Sequence, residues 1–157
     1  MPRHFQLIPL GEGVRIGVAL ARFNQSVTDL LLEGTLDALG RHGVADDAID
    51  VATVPGAFEL PLCAQRLAAT GRYDGLVCLG AVVRGETPHF DYVAGEAARG
   101  IAEVARRHDL PVAFGVLTTD TIEQALARAG GARGNKGYEA AVTALEMIQV
   151  LRSVQRF

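Results

Sequence analysis

The sequence predicts a three-layer α/β/α sandwich, in which helices cover both faces of a central four-stranded parallel sheet. Short apolar runs alternate four times with longer segments whose apolar residues recur at helical spacing, so each unit has the pattern of a strand followed by a helix. The run over residues 76–83 is apolar throughout, which is typical of a strand covered on both faces. Such alternation requires crossovers between parallel strands and therefore helices on both faces.

Residues 1–13 precede the first predicted strand and are expected to form an arm outside the core, because they are mixed in character and interrupted by proline and glycine. Residues 5–8 form a short extended piece of this arm that is able to pair with another strand. The first unit then consists of a strand over residues 14–20 and a helix capped by Ser26, with Asp29 three residues further on.

The remaining elements follow from the same signals, with glycine or proline at the helix ends. They are strands over residues 50–54, 75–83 and 112–117, and helices over residues 59–69, 88–108, 121–129 and 135–154. No linker or low-complexity tract divides the chain, so residues 1–157 are predicted to form one domain, flavodoxin-like in class.

Composition narrows the classes of function. Apolar residues make up 49% of the chain and charged residues 21%, as in a globular protein, and a net charge of −3 gives no basic field for nucleic acid. Small molecules or other subunits are the expected partners. Cys63 and Cys78 lie in apolar segments without CxxC spacing and are expected to be buried thiols, and no histidine spacing suggests a metal. With no membrane span or signal-like run, a cytoplasmic location is expected.

Turns that follow parallel strands emerge at one edge of a sheet, and four separate segments should therefore meet there. They are residues 23–24, 56–59, 85–89 and 114–120. Their aromatic rings, carboxylate, imidazole and free amides suit a flat polar ring, a polyol and an anion.

The turn before the long third helix is the most informative of these segments. If Thr87 is the N-cap and Pro88 the first helical residue, the amides of residues 85–87 point outward at a helix N-terminus, where an anion such as phosphate is favoured. Glu86 would then contribute its backbone while its side chain faces away. His89 lies in the same turn, where the positive helix end favours the neutral imidazole suited to general acid/base work.

Structural interpretations compete with these functional ones. From position alone, His89 could equally be a surface histidine satisfied by Asp91 or a carbonyl. Phe23, Phe58 and Phe114 follow or belong to strands, where aromatic residues ordinarily pack at the edge of a core. Glu59 in a first helical turn, and Arg128 near a helix end, are each explained by the helix dipole alone.

Five stretches of the chain together resemble the lumazine synthase family. They are ARFN (21–24), VPGAFELP (54–61), GAVVRGETPHFDYV (80–93), FGVLTTDTIEQA (114–125) and RAGGARGNKG (128–137). The likeness covers nearly the whole chain, in order and with consistent spacing. The resemblance implies condensation of 5-amino-6-(D-ribitylamino)uracil with 3,4-dihydroxy-2-butanone 4-phosphate, without a metal or an organic cofactor.

The resemblance also assigns roles to particular residues. It implies that His89 transfers protons, that Phe23 stacks on the pyrimidine ring, and that Glu86 and Thr87 bind phosphate. Residues implied to line the ring and ribityl site are Ala57, Phe58, Glu59, Ala81, Val82 and Val83. Residues implied to come from a neighbouring subunit are Phe114 and Arg128, with Lys136 close to the same pocket.

Because the implied site is divided between subunits, the resemblance predicts a homo-oligomer. The family forms pentamers, and in some members twelve pentamers form a shell of sixty subunits. The segment between Arg128 and Lys136 is short, as in shell-forming members, and residues 5–8 could add a strand to a neighbour's sheet. Pro9 is an objection, since proline removes a donor. Riboflavin synthase is a candidate partner protein.

Two other hypotheses remain at this stage. A container of the same fold could bind a flavin or lumazine without catalysis, but it would not need His89, Arg128 and Phe23 together. A receiver domain or a flavodoxin would share the sheet class. The acidic cluster of a receiver is absent, however, and residues 22–26 make a poor flavodoxin phosphate loop.

Overall fold

A computed structural model describes all residues from Met1 to Phe157. Four parallel strands alternate with helices, and a small hairpin precedes the last helix. The elements are β1 (Ile16–Ala21), α1 (Gln25–Arg41), β2 (Ile49–Val54), α2 (Leu60–Ala69), β3 (Gly75–Val83), α3 (His89–His108), β4 (Val112–Thr119), α4 (Ile122–Ala127), β5 (Ala129–Gly131), β6 (Gly134–Asn135) and α5 (Lys136–Gln155).

The sheet has the strand order β2-β1-β3-β4, with all neighbours parallel. β3 lies inside the sheet, where residues 75–79 pair with β1 and residues 76–83 pair with β4. Eight of its nine residues are buried, as its unbroken apolar run predicts. The predicted flavodoxin-like sandwich with a four-stranded parallel sheet is confirmed.

Two separate cores lie on the two faces of the sheet. The face covered by α1 and α5, here called the closed face, has a cluster of 22 buried residues that includes Leu31, Leu39 and Leu145. The face covered by α2 and α3, here called the open face, has a cluster of 13 that includes Leu60 and Ile101. The smaller cluster leaves α2 and α3 less completely packed.

Glycines allow α1 and α5 to approach closely on the closed face. A Cβ atom at Gly137 would overlap the carbonyl oxygen of Leu31, and one at Gly34 would overlap the Asn135 side chain. The Thr35 hydroxyl donates a hydrogen bond of 3.0 Å to the Gly137 carbonyl across the same contact. Backbone therefore packs directly against backbone here, which only glycine permits.

The start of α1 differs from the prediction. The helix begins at Gln25 after Asn24, so the predicted Ser26 cap is wrong. The Asn24 carbonyl already accepts hydrogen bonds from the amides of Val27 and Thr28, at 2.9 and 3.1 Å, which places Ser26 inside the first turn. The predicted pair of Ser26 and Asp29 therefore caps nothing.

Other boundaries move by smaller amounts. β1 starts at Ile16 rather than residue 14, and β4 continues to Thr119 because its last residues pair with Val82 and Val83. The β5–β6 hairpin was not predicted. Its strands are only three and two residues long and rich in glycine, so they carry no alternating pattern.

The arm over residues 1–13 contains no strand or helix and is largely exposed. Near its end, the Gly11 amide donates to the carbonyl of His42, the residue after α1, at 2.8 Å, and further contacts join the arm to α5 and the C-terminus. The Phe5 and Phe157 ring centroids are 5.9 Å apart, the Arg3 guanidinium lies 4.1 Å from the Phe157 centroid, and Gln149 donates a 2.7 Å hydrogen bond to the Leu10 carbonyl.

Both cysteines carry free thiols, as expected. Cys78 of β3 is fully buried and Cys63 of α2 is half-buried, so the predicted burial is complete for Cys78 only. Burial raises the pKa of the Cys78 thiol to about 12. None of the helices has the length and apolar character that crossing a membrane requires.

Candidate active site

A cavity of about 680 Å³ opens at the carboxyl edge of the sheet, on the open face. It is bounded by the segments that follow β1, β2 and β3, so three of the four segments expected at this edge do meet. The predicted site residues that line it are Phe23, Ala57, Phe58, Glu59, Ala81, Val82, Val83, Thr87 and His89.

Phe23 forms one wall of this cavity. It follows β1 directly, and its ring is 70% exposed, so it is not the core-edge residue that its position alone would favour. The backbone beneath it is fixed to β2, because the Arg22 amide donates to the Val54 carbonyl at 2.8 Å and the Phe23 amide to the Pro55 carbonyl at 3.0 Å. A fixed, exposed ring of this kind suits stacking against a flat ligand.

The segment between β2 and α2 forms a second wall. Residues Ala57–Glu59 make one 3-10 turn before the helix, with Ala57 buried against the core and Phe58 56% exposed. Gly56 is extended, and a Cβ atom there would lie 3.4 Å from Glu59 Oε1 and 3.9 Å from Phe23 Cβ. Gly56 therefore lies between Glu59 and Phe23, within van der Waals reach of both.

The end of β3 forms the floor. Ala81 and Val82 are buried, Val83 is half-buried, and all three line the cavity. Gly80 lies just beneath, where a Cβ atom would touch the side chains of Leu60, Ala21 and Ala57 at 3.3 to 3.6 Å. The strand ends at Val83, after which the chain turns away from the sheet.

His89 lies at the mouth of the cavity as the first residue of α3. Its amide donates to the Thr87 hydroxyl oxygen at 3.4 Å, but the N-cap position belongs to Pro88, so the predicted Thr87 cap is wrong by one residue. The Pro88 carbonyl accepts from the Asp91 amide at 3.0 Å, which makes the first turn tight. The His89 ring is exposed and has no hydrogen bond within the chain, so Asp91 does not satisfy it.

A second cavity, of about 390 Å³, lies beyond the end of β4. Arg128 and Lys136 both line it, together with Thr119, Asp120 and Gln124. Neither Arg128 nor Lys136 forms a salt bridge. The two cations therefore remain available to an anion.

The short helix α4 and the hairpin hold these cations in place. Thr121 and Gln124 form a capping box that fixes the start of α4, and Arg128 follows its last turn. The Arg128 guanidinium donates to the Gln124 carbonyl at 3.5 Å, and the Lys136 amide donates to the Arg128 carbonyl at 2.8 Å. The hairpin thus brings the two cationic residues to one cavity although they are eight positions apart.

Arg84 lies between the two cavities. Its Nε donates to Asp120 Oδ1 at 2.9 Å, its NH1 is 3.8 Å from Asp91 Oδ1, and its guanidinium lies 4.4 Å from the Phe90 ring centroid. Phe90 lines the larger cavity and Asp120 the smaller one. This cluster separates the two, and no residue lines both.

Two predicted site residues line neither cavity. Phe114 is the third residue of β4, pairs with Cys78 and is 37% exposed, so it lies in the strand as predicted, but before the residues of this segment that line a cavity. Glu86 is exposed in the turn after β3, with its side chain outside the cavity as expected.

Sequence reasoning placed Asn24 at this edge without giving it a role, and it did not single out Tyr92 or Gln124. Asn24 and Tyr92 line the larger cavity, and Gln124 lines the smaller one. The signals for two of them were present: asparagine tolerates the left-handed backbone that often precedes a helix, and the spacing of Thr121 and Gln124 fits a capping box. Tyr92, which is 71% exposed, carried no such signal.

Comparison with known proteins identifies the family of the chain. A sequence model of 6,7-dimethyl-8-ribityllumazine synthase matches residues 13–152. A protein of that name from Desulfatibacillum aliphaticivorans is 56% identical over 150 residues, which cover 96% of this chain and 97% of that protein. The chain belongs to the 6,7-dimethyl-8-ribityllumazine synthase family, transferases that condense 5-amino-6-(D-ribitylamino)uracil with 3,4-dihydroxy-2-butanone 4-phosphate, releasing phosphate and water, in the penultimate step of riboflavin biosynthesis.

Proposed function

We propose that one complete active site forms between two subunits, from the larger cavity of one chain and the smaller cavity of its neighbour. The observation that carries this proposal is the separation of the two cavities. The exposed rings and His89 lie in one, and the free cations Arg128 and Lys136 lie in the other, with Arg84 between them. The two substrates need the rings and His89 as well as the cations. They find both when a second chain brings its cations to the larger cavity.

In this proposal the larger cavity binds ribitylaminouracil. Phe23 stacks on the pyrimidine ring, which its exposure and its fixed backbone support. The backbone of Ala81, Val82 and Val83 contacts the ring edges. Ala57, Phe58 and Glu59 line the ribityl chain, where the Glu59 carboxylate accepts from hydroxyl groups.

His89 is the proposed proton-transfer residue. Schiff-base formation, phosphate elimination and ring closure each require the transfer of a proton. The His89 imidazole has no hydrogen-bond partner within the chain that would compete for that proton. Its place in the first turn of α3 puts it beside the turn that holds Glu86 and Thr87. Protons are therefore exchanged close to the departing phosphate.

The phosphate is held from two sides. The turn amides at Glu86 and Thr87 lie before a helix of 20 residues, whose N-terminal end favours an anion. Arg128 of the neighbouring chain pairs with the phosphate, and Lys136 approaches the same group. Phe114 of that neighbour completes the enclosure, which agrees with its exposure and with its absence from both cavities of its own chain.

Mixing two impaired variants tests the shared site, with turnover measured at a butanone phosphate concentration well below the KM of the Arg128 variant. His89→Ala is expected to slow turnover by about 10² to 10⁴ while leaving substrate binding largely intact. Arg128→Ala is expected mainly to raise KM for the butanone phosphate. In assemblies refolded from equal amounts of both, about a quarter of the sites should pair an intact histidine with an intact arginine and regain full turnover.

Two controls make the outcome decisive. Each variant assembled alone gives the baseline. A double variant mixed equally with wild type should retain full turnover in about a quarter of its sites if the site is shared and in about half of them if each chain carries its own site. Activity equal to the average of the two single variants would show that each chain carries its own complete site. Normal turnover in the His89 variant would remove that residue from the chemistry.

The proposed assembly is a pentamer, with a sixty-subunit shell as its larger form. The short β5–β6 hairpin supports the shell. The arm supports it too, because its Leu7, Ile8 and Leu10 are exposed and belong to no strand of this chain. Light scattering on wild type and on a variant lacking residues 1–10 tests this. A shell has a mass sixty times the 16.6 kDa of one chain, and loss of the arm should leave particles of five.

The proposal places this single-domain enzyme in the cytoplasm, with riboflavin synthase as its partner, since that enzyme is expected to use its product. Co-purification of the two at physiological ionic strength checks the partnership. Separate elution of both proteins under these conditions would argue against it.

A further inference from the structure

Asn24 has an unusual backbone at the edge of the larger cavity. It is one of two residues other than glycine with positive φ, at 63°, the other being Asp109 at 50°. Left-handed backbone is unfavourable for a residue with a Cβ atom and persists where other contacts hold it. Asn24 lies at the N-cap position of α1, yet its side chain forms no capping hydrogen bond with the helix.

The side chain of Asn24 instead bridges two walls of the cavity. Its Nδ2 donates a 2.8 Å hydrogen bond to the carbonyl of Ala81, which is 57 positions away in β3. β1 pairs with β3 only as far as Leu20 and Leu79. Beyond that point the amides of Arg22 and Phe23 turn to β2, so no other hydrogen bond joins residues 22–24 to β3.

We propose that Asn24 is a positioning residue for the ribitylaminouracil substrate: it sets the distance between the Phe23 ring and the Ala81–Val83 backbone. The inference rests on the proposed function, in which these two groups hold the faces and edges of the pyrimidine. The half-buried hydrogen bond between Asn24 and Ala81 lies just beyond the last paired residues of β1 and β3, and it continues the connection between these two strands. Without it, the turn that carries Phe23 is tied to β2 alone.

The test uses Asn24→Gly and Asn24→Asp in the assembled enzyme. Glycine keeps the left-handed backbone but loses the hydrogen bond, and aspartate keeps the shape but offers the Ala81 carbonyl an acceptor instead of a donor. Both variants should raise KM for ribitylaminouracil by about tenfold and leave KM for the butanone phosphate within about twofold of wild type.

Asp109→Gly is the matched control. It replaces the other residue of positive φ with glycine, at the end of α3 far from the cavity, where Asp109 closes the helix. It relieves the same left-handed backbone without losing a hydrogen bond, so its melting temperature should be at least that of Asn24→Gly, and both KM values should be unchanged. If the Asn24 variants also leave both KM values unchanged, or raise them equally, Asn24 serves the fold and the inference is wrong.

Phe23→Ala, measured beside them, separates this inference from the proposed function. If Phe23→Ala raises KM for ribitylaminouracil while the Asn24 variants do not, only the positioning role fails. If Phe23→Ala also leaves that KM unchanged, the proposed use of the cavity fails.

Discussion

The two faces of one sheet are completed in different ways. On the closed face the core has 22 buried residues and a glycine contact between α1 and α5, and the exposed apolar side chains of α5, Met147, Leu151 and Val154, are only 38% to 48% exposed. On the open face the core has 13 buried residues, and Phe58, Leu62 and Tyr92 are 56%, 61% and 71% exposed. Exposed aromatic and aliphatic groups in such a cluster mark an interaction surface.

This difference indicates which face of the subunit requires a neighbouring subunit for activity. The closed face has the larger core and a tight helix contact within one subunit, so its packing should determine whether the subunit folds. The open face carries both the larger cavity and the uncovered side chains, so its completion by a neighbour should determine whether the site works. Stability and activity are thus expected to separate by face.

The largest effect should come from Gly137→Ala on the closed face. The new methyl group would overlap the Leu31 carbonyl, and backbone cannot move aside cheaply, so we expect a loss of more than about 4 kcal/mol in the free energy of unfolding. Gly40→Ala in α1 is the control, because a methyl group there meets nothing within 4 Å. Denaturant titration at equal protein concentration measures both, and similar midpoints would show that the helix contact is not tight.

A pH-dependent effect is expected from Cys78, whose side chain belongs to the core of the open face. Burial raises its pKa from the ordinary 9.0 to about 12, so the folded state keeps the proton while the unfolded state releases it. This contribution to stability is fully present below pH 9 and is lost as the pH rises toward 12, by about 1.4 kcal/mol per pH unit.

Cys78→Ala tests this by removing the thiol. The variant should have a lower free energy of unfolding at neutral pH because of the smaller side chain, and a shallower decline between pH 9 and 12. Cys63→Ala, at a half-buried thiol of the same face, should change that slope less. Parallel alkaline curves for all three proteins would contradict the assignment.

The smallest effect on the subunit itself should come from Leu62→Ser on the outer side of α2. The side chain is 61% exposed, so the stability of one chain should change by no more than about 0.5 kcal/mol. Assembly should weaken by about 1.5 to 3 kcal/mol for each leucine buried by a neighbour, and turnover should fall with it. Leu36→Ser in α1, at a leucine 39% exposed, should leave particle size unchanged by light scattering. Equal behaviour of the two variants would remove the distinction between the faces.

Sequence patterns predicted the elements whose signals are local. Both ends of β3 were predicted, because Gly75 opens an unbroken apolar run and Arg84 closes it. The start of α1 was not, because Ser26 satisfies the capping pattern. The helix begins two residues earlier than that cap implies, after a left-handed Asn24 whose side chain bonds to a distant strand. That choice depends on a tertiary contact that no local window contains.

Sequence patterns predicted most of the residues that line the cavities, but not that these residues are divided between two cavities. The expected convergence at one sheet edge is correct for the segments after β1, β2 and β3. The separation of Arg128 and Lys136 into a second cavity depends on the extension of β4 to Thr119 and on the Arg84 contacts. Both are products of strand register and side-chain geometry, which spacing along the chain does not specify.

The division of the cavities also relates the number of sites to the shape of the assembly. If neighbouring chains complete each other as proposed, an open row of subunits always leaves one unused half-site at each end. A closed ring leaves none, so it has as many working sites as chains, and joining the two ends of a row creates an additional site from groups already present. Ring closure is then itself a gain in catalytic capacity, and selection for turnover per chain would favour closed assemblies.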